Sequence, residues 1–275
     1  MTIEEALREA SVILSKVSER PRLEAEILMA HHLRKERTWL HMHGDSDLED
    51  PEGFWRLVER RKKSEPIEYI TGRVSFYDIW LEVGEGVLIA RPETELLVDM
   101  AAEVVRKHGL KRICEIGVGS GAVSVVLARK FPDLHITATD ISEDALKYAR
   151  KNIAAYGLQE RITLVHTDLL EGVDEEACEM IVSNPPYICR EFLLPHSVRY
   201  EPQNALIGGE CGDELLKAII LEAKRRGVPH LVCEMGYDQR ESIATFCKEQ
   251  GLPEPRFYKD LAGLDRGFYL KMKNE

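Results

Sequence analysis

The tetrapeptide Asn184-Pro185-Pro186-Tyr187 has the residue types and order needed to hold a planar amino or amide group. It follows Ser183 and an apolar stretch that predicts a buried strand. Two successive prolines end such a strand, fix the backbone and remove two N–H donors. The side-chain carbonyl of Asn184 and the backbone carbonyl of Pro185 can then accept both hydrogens of one –NH2 group, with the Tyr187 ring against a planar substrate. These four residues are the predicted catalytic residues.

Such an arrangement suits methylation of a nitrogen whose lone pair is delocalised. Holding both N–H bonds orients the nitrogen toward an incoming methyl group and favours the pyramidal geometry of the transition state. No strong base is required, because the nitrogen loses a proton as it becomes positively charged. Taken alone, Asn-Pro-Pro is also typical of a simple turn. The chemical interpretation therefore depends on the elements around the tetrapeptide.

A glycine-rich loop follows another predicted strand and opens a predicted helix. Glycines let the backbone turn sharply and let a ligand approach the free N–H groups of a helix start. No Gly-Lys-Ser/Thr follows, which excludes a P-loop. The carboxylate of Glu115 would repel a pyrophosphate but suits a cationic ligand such as the sulfonium and amino group of S-adenosylmethionine. The predicted cofactor-binding residues of the loop are Glu115, Gly117, Val118, Gly119, Ser120 and Gly121.

Two further strand ends and the tetrapeptide complete the predicted cofactor site. Asp140 ends the second predicted strand, where a carboxylate accepts hydrogen bonds from ribose hydroxyls. Its alternative role is to cap the next helix, for which Ser142 competes. Asp168 follows the third strand, near a predicted adenine position, although an aspartate there is often a turn residue. The predicted cofactor-binding residues outside the loop are Asp140, Ile141, Asp168, Leu169 and Asn184.

The elements that must position these residues alternate between strands and helices. Helical patterns over Ala122–Lys130 and Glu143–Ala155 separate the strands, which predicts an α/β fold with a mostly parallel, doubly wound, Rossmann-like sheet. Residues 256–258 and 268–272 predict two late strands that pair antiparallel at the end of the sheet. The other predicted strands are Arg112–Ile116, 135–139, Ile162–His166, Met180–Ser183 and His230–Glu234.

The first 64 residues predict helices, with Pro21 and Pro51 placed to open the second and third. The basic run at 60–63 suits a solvated helix end, with a partner-binding surface as the alternative. Residues 65–90 predict a β-hairpin around Gly84-Glu85-Gly86. The expected organisation is a helical domain at 1–64, a β-hairpin linker at 65–90 and an α/β domain at 91–275.

Composition excludes several classes of protein. Hydrophobic residues make up 44% of the chain, enough for a substantial core. No apolar run approaches the roughly 20 residues that span a bilayer, and a secretion signal is not evident. The six cysteines have no metal-ligand spacing, which fits a reducing compartment, and the histidines at 31, 32, 41 and 43 lack a completing ligand set. We expect a soluble, cytoplasmic protein without a metal.

The charge distribution argues against a nucleic acid as the main partner. The net charge is −11, whereas phosphate binding needs clustered Lys and Arg. Residues 1–64 contain 12 Lys/Arg and 13 Asp/Glu, and the whole chain contains 37 and 48. The α/β part therefore carries nearly all of the net negative charge.

Segments along nearly the whole chain resemble the HemK/PrmC family, the protein-(glutamine N5) methyltransferases that modify peptide chain release factors. The Asn-Pro-Pro-Tyr motif is shared with DNA adenine and ribosomal RNA guanine methyltransferases, so the segments at 91–95 and 260–266 discriminate better. Departures are modest: Ala90 replaces a common proline, and Val118 a usual threonine. The resembling segments are 65–72, 88–95, the glycine loop, the tetrapeptide, 200–202 with 205–206, and 260–266.

The resemblance implies a class I methyltransferase sheet and methyl transfer from S-adenosyl-L-methionine to the glutamine of the release-factor GGQ motif. It assigns Gly117 to Gly121, Asp140 and Asp168 or Leu169 to the cofactor, and Asn184 to Tyr187 to the glutamine. The helical domain would help to bind the release factor, and a monomer is expected. Arg91 and Glu93 either shape the glutamine pocket or form a structural ion pair.

Four alternatives predict different features. A glutamine methyltransferase acting on a ribosomal protein would use the same chemistry and differ in its recognition domain. A nucleic-acid amino-group methyltransferase predicts a basic face and base-flipping aromatic residues. A regulatory cofactor-binding module leaves the tetrapeptide without a purpose. An NAD oxidoreductase predicts GxGxxG and a hydride-site acid, neither of which is evident.

Overall fold

Helices fill most of the first 72 residues, where apolar side chains recur at helical spacing. The computed structural model, which describes residues 1–174 and 178–272, confirms the three predicted helices and adds two short ones. One of these lies within the expected hairpin linker at 65–90. The five helices are α1 (Ile3–Leu14), α2 (Pro21–Leu33), α3 (Arg37–Met42), α4 (Pro51–Lys62) and α5 (Ile67–Thr71).

Local signals and one buried ion pair hold these helices. Thr2 and Glu5 form a capping box at the start of α1, which satisfies two otherwise unpaired N–H groups. Arg61, in the basic run at the end of α4, is 8% exposed and donates hydrogen bonds to Glu24 (2.7 Å) and to the carbonyl of Val17 (3.2 Å). The expectation of a solvated helix end was therefore wrong for this residue, because tertiary contacts bury it.

A two-stranded sheet follows, formed by β1 (Arg73–Phe76) and β2 (Ile79–Glu82). The predicted hairpin is present, but its turn lies at Tyr77 and Asp78 rather than at Gly84-Glu85-Gly86. Tyr77 has a left-handed φ of 53°, and its N–H donates to the Glu95 carboxylate at 2.8 Å. A contact with a later helix therefore supports the turn, and Gly84 to Gly86 follow β2.

The remaining elements alternate as predicted, and the five central strands match their predicted positions within one residue. The helices are α6 (Thr94–His108), α7 (Ala122–Lys130), α8 (Glu143–Ala155), α9 (Glu214–Arg226) and α10 (Arg240–Glu249). The strands are β3 (Arg112–Ile116), β4 (His135–Asp140), β5 (Ile162–His166), β6 (Met180–Ser183), β7 (Ile188–Cys189), β8 (Ile207–Gly209), β9 (His230–Glu234), β10 (Arg256–Lys259) and β11 (Asp265–Lys271).

Seven of these strands form one sheet in the order β10-β11-β9-β6-β3-β4-β5. The central strands β9, β6, β3, β4 and β5 are parallel, whereas β11 pairs antiparallel with β9 and β10 pairs antiparallel with β11. The predicted α/β, Rossmann-like fold is thus confirmed. The chain moves from β3 to β4 and β5 on one side and then crosses to β6 on the other, so the order reverses between β3 and β6. Ligands bind at such a reversal in open α/β sheets.

The chain divides into two compact units: Met1–Arg73 with Leu194–Tyr200, and Val74–Leu193 with Glu201–Glu275. The first unit has its own apolar core, built on Leu7, Leu28 and Phe54, which are at most 1% exposed. In the second unit a core of β3, β6 and β9 residues packs against α9 and α10. Each unit therefore buries apolar side chains of its own.

Two of the four N-terminal histidines, His32 and His43, have structural partners. His43 stacks on Trp39 with ring centroids 3.9 Å apart, and His32 lies 3.9 Å from Asp50. Across residues 1–174 and 178–272, no group of three His, Cys, Asp or Glu side chains is arranged to hold a metal ion. None of the helices in the same residues is both long and apolar enough to cross a membrane.

Candidate active site

The carboxyl ends of β3, β4 and β6 lie side by side, because Ile116 pairs with Thr139 on one side and with Ser183 on the other. A pocket with about 710 Å³ of empty space, part of it open to solvent, lies at these ends. It brings eight of the fourteen predicted site residues together from separate parts of the sequence. These eight are Gly117, Gly119, Asp140, Ile141, Asp168, Leu169, Asn184 and Pro186.

Backbone hydrogen bonds hold the glycine loop against β4. The N–H groups of Gly117 and Val118 both donate to the carbonyl of Thr139 at 2.9 Å, and the N–H of Gly119 donates to the Asp140 carboxylate at 2.9 Å. Gly117 and Gly119 have φ values of 76° and 54°, which glycine adopts without strain. The loop therefore presents main chain, rather than side chains, to the pocket.

Asp140 lies in the pocket wall, and Ser142 caps the next helix. The Ser142 hydroxyl accepts a hydrogen bond from the N–H of Ala145 at 3.2 Å, while Asp140 accepts from the N–H groups of Gly119 and Ser142. Burial raises the pKa of the Asp140 carboxyl above its usual value, and these N–H donors oppose the rise. Asp140 is thus available to hydroxyl donors of a ligand.

Four predicted loop residues are buried behind the pocket instead of lining it. Glu115 is 3% exposed and pairs with the hydroxyl of Ser124, and burial raises its pKa to about 8. Ser120 is fastened to α8 through its carbonyl, which accepts from the Asn152 amide at 2.8 Å. Direct ligand contact by these residues stays a prediction, and their observed contacts support the loop from behind. The four are Glu115, Val118, Ser120 and Gly121.

Asn184 enters the pocket with a fixed amide group. Its Nδ2 donates to the hydroxyl of Thr94 at 3.0 Å, which leaves Oδ1 as the free acceptor of the amide. The neighbouring Ser183 hydroxyl donates to the carbonyl of Ile116 at 2.7 Å and ties β6 to β3. Pro186 also lines the pocket, whereas Pro185 does not.

Tyr187 turns back toward β9 rather than lining the pocket. Its hydroxyl donates to Oε1 of Glu234 at 3.0 Å, and its carbonyl accepts from the Gln239 amide at 2.9 Å. Burial and the neighbouring Glu234 raise the pKa of the Tyr187 hydroxyl, which therefore stays protonated and acts as a donor. Both ends of the tyrosine are fixed.

Sequence patterns missed several residues that build the site. Glu201, 4% exposed, accepts from Arg91 at 2.5 Å and from the N–H of Ile89 at 3.0 Å, which ties the wall at 86–88 to the wall at 202–205. Arg91 therefore pairs with Glu201, whereas the expected structural ion pair joined Arg91 and Glu93. Thr94 and Glu234 lie behind Asn184 and Tyr187. An acidic residue closing an apolar strand, as Glu234 does, was the signal available for it.

The pocket lining fits a ligand that is partly apolar and positively charged. Asp140 and Asp168 are the charged side chains among the described lining residues, and no Lys or Arg occurs there. Ile141, Leu169 and Leu215 supply apolar surface. S-adenosylmethionine combines an apolar adenine face, ribose hydroxyls and a cationic sulfonium. The apolar side chains and the two aspartates of the lining match these groups.

Comparison with known sequences covers both units. Residues 5–72 match the PrmC N-terminal domain family, and residues 93–191 match the methyltransferase small domain family. The chain is 37% identical to the release factor glutamine methyltransferase of Coxiella burnetii over 270 residues, 97% of each protein. It is 41% identical to that of Dictyoglomus turgidum over 74% of each chain. It is 38% identical to that of Bordetella pertussis, and the match covers 91% of this chain and 95% of the other.

Solved structures share the fold at low identity. The N-terminal domain of human METTL16 in complex with SAH superposes with a TM-score of 0.53 and 17% identity, covering 70% of this chain and 76% of that one. The ribosomal protein L11 methylase from Lactobacillus delbrueckii subsp. bulgaricus superposes with a TM-score of 0.50 and 20% identity, covering 70% of this chain and 86% of that one. The sheet is therefore that of class I methyltransferases, and the sequence matches over nearly the full length show that this chain belongs to the family of release factor glutamine methyltransferases.

Proposed function

We propose that this chain transfers a methyl group from S-adenosyl-L-methionine to the side-chain amide nitrogen (N5) of the glutamine in the GGQ motif of peptide chain release factors. The observation that carries the proposal is the fixed amide of Asn184. Thr94 holds its Nδ2 at 3.0 Å, so Oδ1 is presented as an acceptor in a pocket whose described charges are both aspartates. Family membership names the substrate class.

The predicted cofactor residues fall into two groups, those that line the pocket and those buried behind it. Gly117, Gly119, Asp140, Ile141 and Leu169 contact it, together with Asp168 and Asn184. Asp140 accepts hydrogen bonds from ribose hydroxyls, and Leu169 packs against the adenine. When bound, the cofactor supplies an electrophilic methyl group. Glu115, Val118, Ser120 and Gly121 act by holding the loop in place.

For the substrate, the chain's residues orient one amide nitrogen. Oδ1 of Asn184 accepts one of its hydrogens, and the carbonyl of Pro185, which stands between the lining residues Asn184 and Pro186, is the acceptor proposed for the other, which fixes the nitrogen for attack. Pro186 flanks the planar amide, and Tyr187, held by Glu234 and Gln239, fixes the end of the tetrapeptide. The nitrogen gains the methyl group and loses one proton to solvent, so no side chain has to act as a strong base. Positioning and electrostatics thus supply the catalysis.

Recognition of the protein substrate is proposed for the helical domain at 1–64, with 65–90 as linker and 91–275 as the transferase domain. The match of residues 5–72 to the PrmC N-terminal domain family supports a dedicated N-terminal module. We also propose that the protein is a cytoplasmic monomer and has no direct nucleic-acid substrate. The net charge of −11 supports the last point, because phosphate binding needs positive charge.

Transfer of label from methyl-labelled S-adenosylmethionine to separately purified release factor, ribosomal proteins and RNA tests the substrate class. We expect label in the release factor alone. Label in the ribosomal proteins would instead indicate the alternative activity, a glutamine methyltransferase acting on a ribosomal protein. Label in RNA would contradict a protein substrate.

A further inference from the structure

Glu234 is a buried carboxyl group that the proposed chemistry does not use directly. It ends β9, is 1% exposed and does not line the pocket. Its Oε1 accepts from the Tyr187 hydroxyl at 3.0 Å, while Oε2 is buried and makes no hydrogen bond of ordinary geometry within the described residues. A buried, unpaired carboxylate oxygen is costly and strongly attracts a neighbouring hydroxyl proton.

Thr94 provides that hydroxyl and connects Glu234 with Asn184. The Thr94 side chain is buried at the start of α6, and its Oγ1 accepts from Nδ2 of Asn184 at 3.0 Å. Thr94 lies near enough to Glu234 to lower the pKa of its carboxyl, and the unpaired Oε2 of Glu234 is an acceptor available to the Thr94 hydroxyl proton. One carboxyl group therefore faces both hydroxyls that hold the catalytic tetrapeptide.

The direction of these hydrogen bonds follows from the charge of Glu234. An ionised carboxylate only accepts, so the Thr94 and Tyr187 hydroxyls must turn their protons toward it. The lone pairs of the Thr94 hydroxyl then face Asn184, so Asn184 has to donate a hydrogen bond from its NH2 group. Oδ1 of Asn184 is left for the substrate. A reversed amide would present a donor to a substrate –NH2 group, and two donors repel.

The geometry points to Glu234 as a positioning residue that sets the donor–acceptor direction of Asn184 through Thr94 and fixes the Tyr187 ring directly. This inference rests on the proposed glutamine methylation. Glu234 touches neither substrate nor cofactor. It determines instead which atom of Asn184 meets the amide nitrogen.

The surroundings of Glu234 make its charge sensitive to pH. Burial and the nearby Glu93 raise the pKa of Glu234, while Thr94, Tyr187 and Arg266 oppose the rise, and the resulting pKa is about 7. The Tyr258 hydroxyl, on β10, also lies close and stays protonated because burial raises its pKa. Protonation removes the requirement that Thr94 donate, so we expect kcat to fall as the pH drops below about 7.

Variants of the full-length chain test this role by methyl transfer to release factor. Glu234→Gln keeps the shape but places an NH2 donor beside one hydroxyl, and it should lower kcat about tenfold to a hundredfold, the rate equivalent of one misdirected hydrogen bond. Thr94→Val should do the same, and Thr94→Ser should retain activity. The double variant Thr94→Val with Glu234→Gln should lose little more than either alone, because both act on one amide.

Three outcomes would overturn the inference: normal kcat in Glu234→Gln or in Thr94→Val, equal loss in Thr94→Ser and Thr94→Val, or additive losses in the double variant. Cofactor affinity should stay within about twofold of the parent, which separates misdirection from a collapsed pocket. The low activity of Glu234→Gln should also be independent of pH near 7. Failure of the proposed function would look different, since the parent chain itself would then not label the release factor.

Discussion

An asparagine amide can present either an acceptor or a donor, and the neighbours decide which. At Asn184, Nδ2 donates to the hydroxyl of Thr94 at 3.0 Å, so Oδ1 is the amide atom left to accept from a ligand. The substrate amide has two hydrogens to place, and an oriented carbonyl costs no reorganisation during reaction. At the scale of single residues, the site depends on hydrogen-bond direction more than on acid–base strength.

Replacement of Asn184 by Ala tests that acceptor. We expect Asn184→Ala to abolish transfer, because the substrate nitrogen loses its orientation, and to leave cofactor affinity nearly intact. Titration calorimetry with S-adenosylmethionine and a transfer assay on release factor measure the two effects separately. A large loss of cofactor affinity with residual transfer would mean that Asn184 serves the cofactor and not the amide.

Replacement of Asp140 by Ala tests the ribose contact. The variant loses a charged acceptor and also releases the N–H of Gly119, so cofactor binding should weaken by about 1–3 kcal/mol. Glu143→Ala, which removes an exposed carboxylate three residues later, is the matched control and should bind normally. Equal affinities for the parent and Asp140→Ala would refute the ribose role.

At the scale of elements, β3 and α7 are joined beneath the glycine loop by Glu115 and Ser124. Burial raises the pKa of Glu115 from 4.5 to about 8, so the folded chain holds this proton more tightly than the unfolded chain does. Its contribution to stability is complete below about pH 4.5 and is lost as the pH rises through about 8. The loop's support is therefore strongest when this carboxyl group is neutral.

Glu115→Gln should therefore gain stability relative to the parent between pH 5 and pH 9, by up to about 1.4 kcal/mol for each unit of pKa shift removed. Denaturant unfolding at several pH values measures the difference. Glu222→Gln is the control, because Arg225 and Arg226 lower the pKa of Glu222 to about 2 and its contribution is constant over this range. A parent and Glu115→Gln that differ by the same amount at every pH would contradict the buried, protonated carboxyl.

Sequence patterns located the central strands because these are short apolar runs between clear helical patterns. The hairpin turn was misplaced for a physical reason: Gly84 to Gly86 look like a turn, whereas the actual turn uses Tyr77 in a left-handed conformation. That conformation is supported by Glu95, 18 residues later, and by an exposed hydrogen bond from the Tyr77 hydroxyl to Asp99. Contacts of this kind arise only when distant elements meet.

The same limit applies to the site. The placement of Asp140 and Asn184 in one pocket was predictable because both stand at the ends of parallel strands, which meet at one edge of a sheet. Thr94, Glu201 and Glu234 come from a helix start, a loop and another strand, and no local spacing connects them. Glu115 was assigned to the ligand by its charge, and this contact stays a prediction; its burial beside Ser124 results from tertiary packing that no local spacing reveals.

At the scale of the whole molecule, the N-terminal unit differs from the other in charge. Residues 1–64 are nearly balanced, with 12 basic and 13 acidic side chains. Within this unit a groove is bordered by several basic residues, and recognition of acidic surface on the protein substrate is the role we expect for it. Its basic residues are Arg34, Lys35, Arg56, Arg60 and Arg73.

Reversing one of these charges tests the recognition role. Arg56 is exposed in α4, and we expect Arg56→Glu to raise KM for release factor several-fold while kcat and cofactor affinity stay unchanged. Arg8→Glu, an equal charge change at an exposed position of α1 outside the groove, is the control. Identical KM values for the two variants would remove the groove from substrate recognition.

The most direct measurement of the central claim is methyl transfer to a matched pair of release factors, one intact and one with the GGQ glutamine replaced by asparagine. The account predicts that labelled S-adenosylmethionine marks the intact protein alone, on one peptide whose glutamine gains about 14 Da, the mass of one methyl group replacing hydrogen. Equal labelling of both copies, or none of either by an active enzyme preparation, would contradict it.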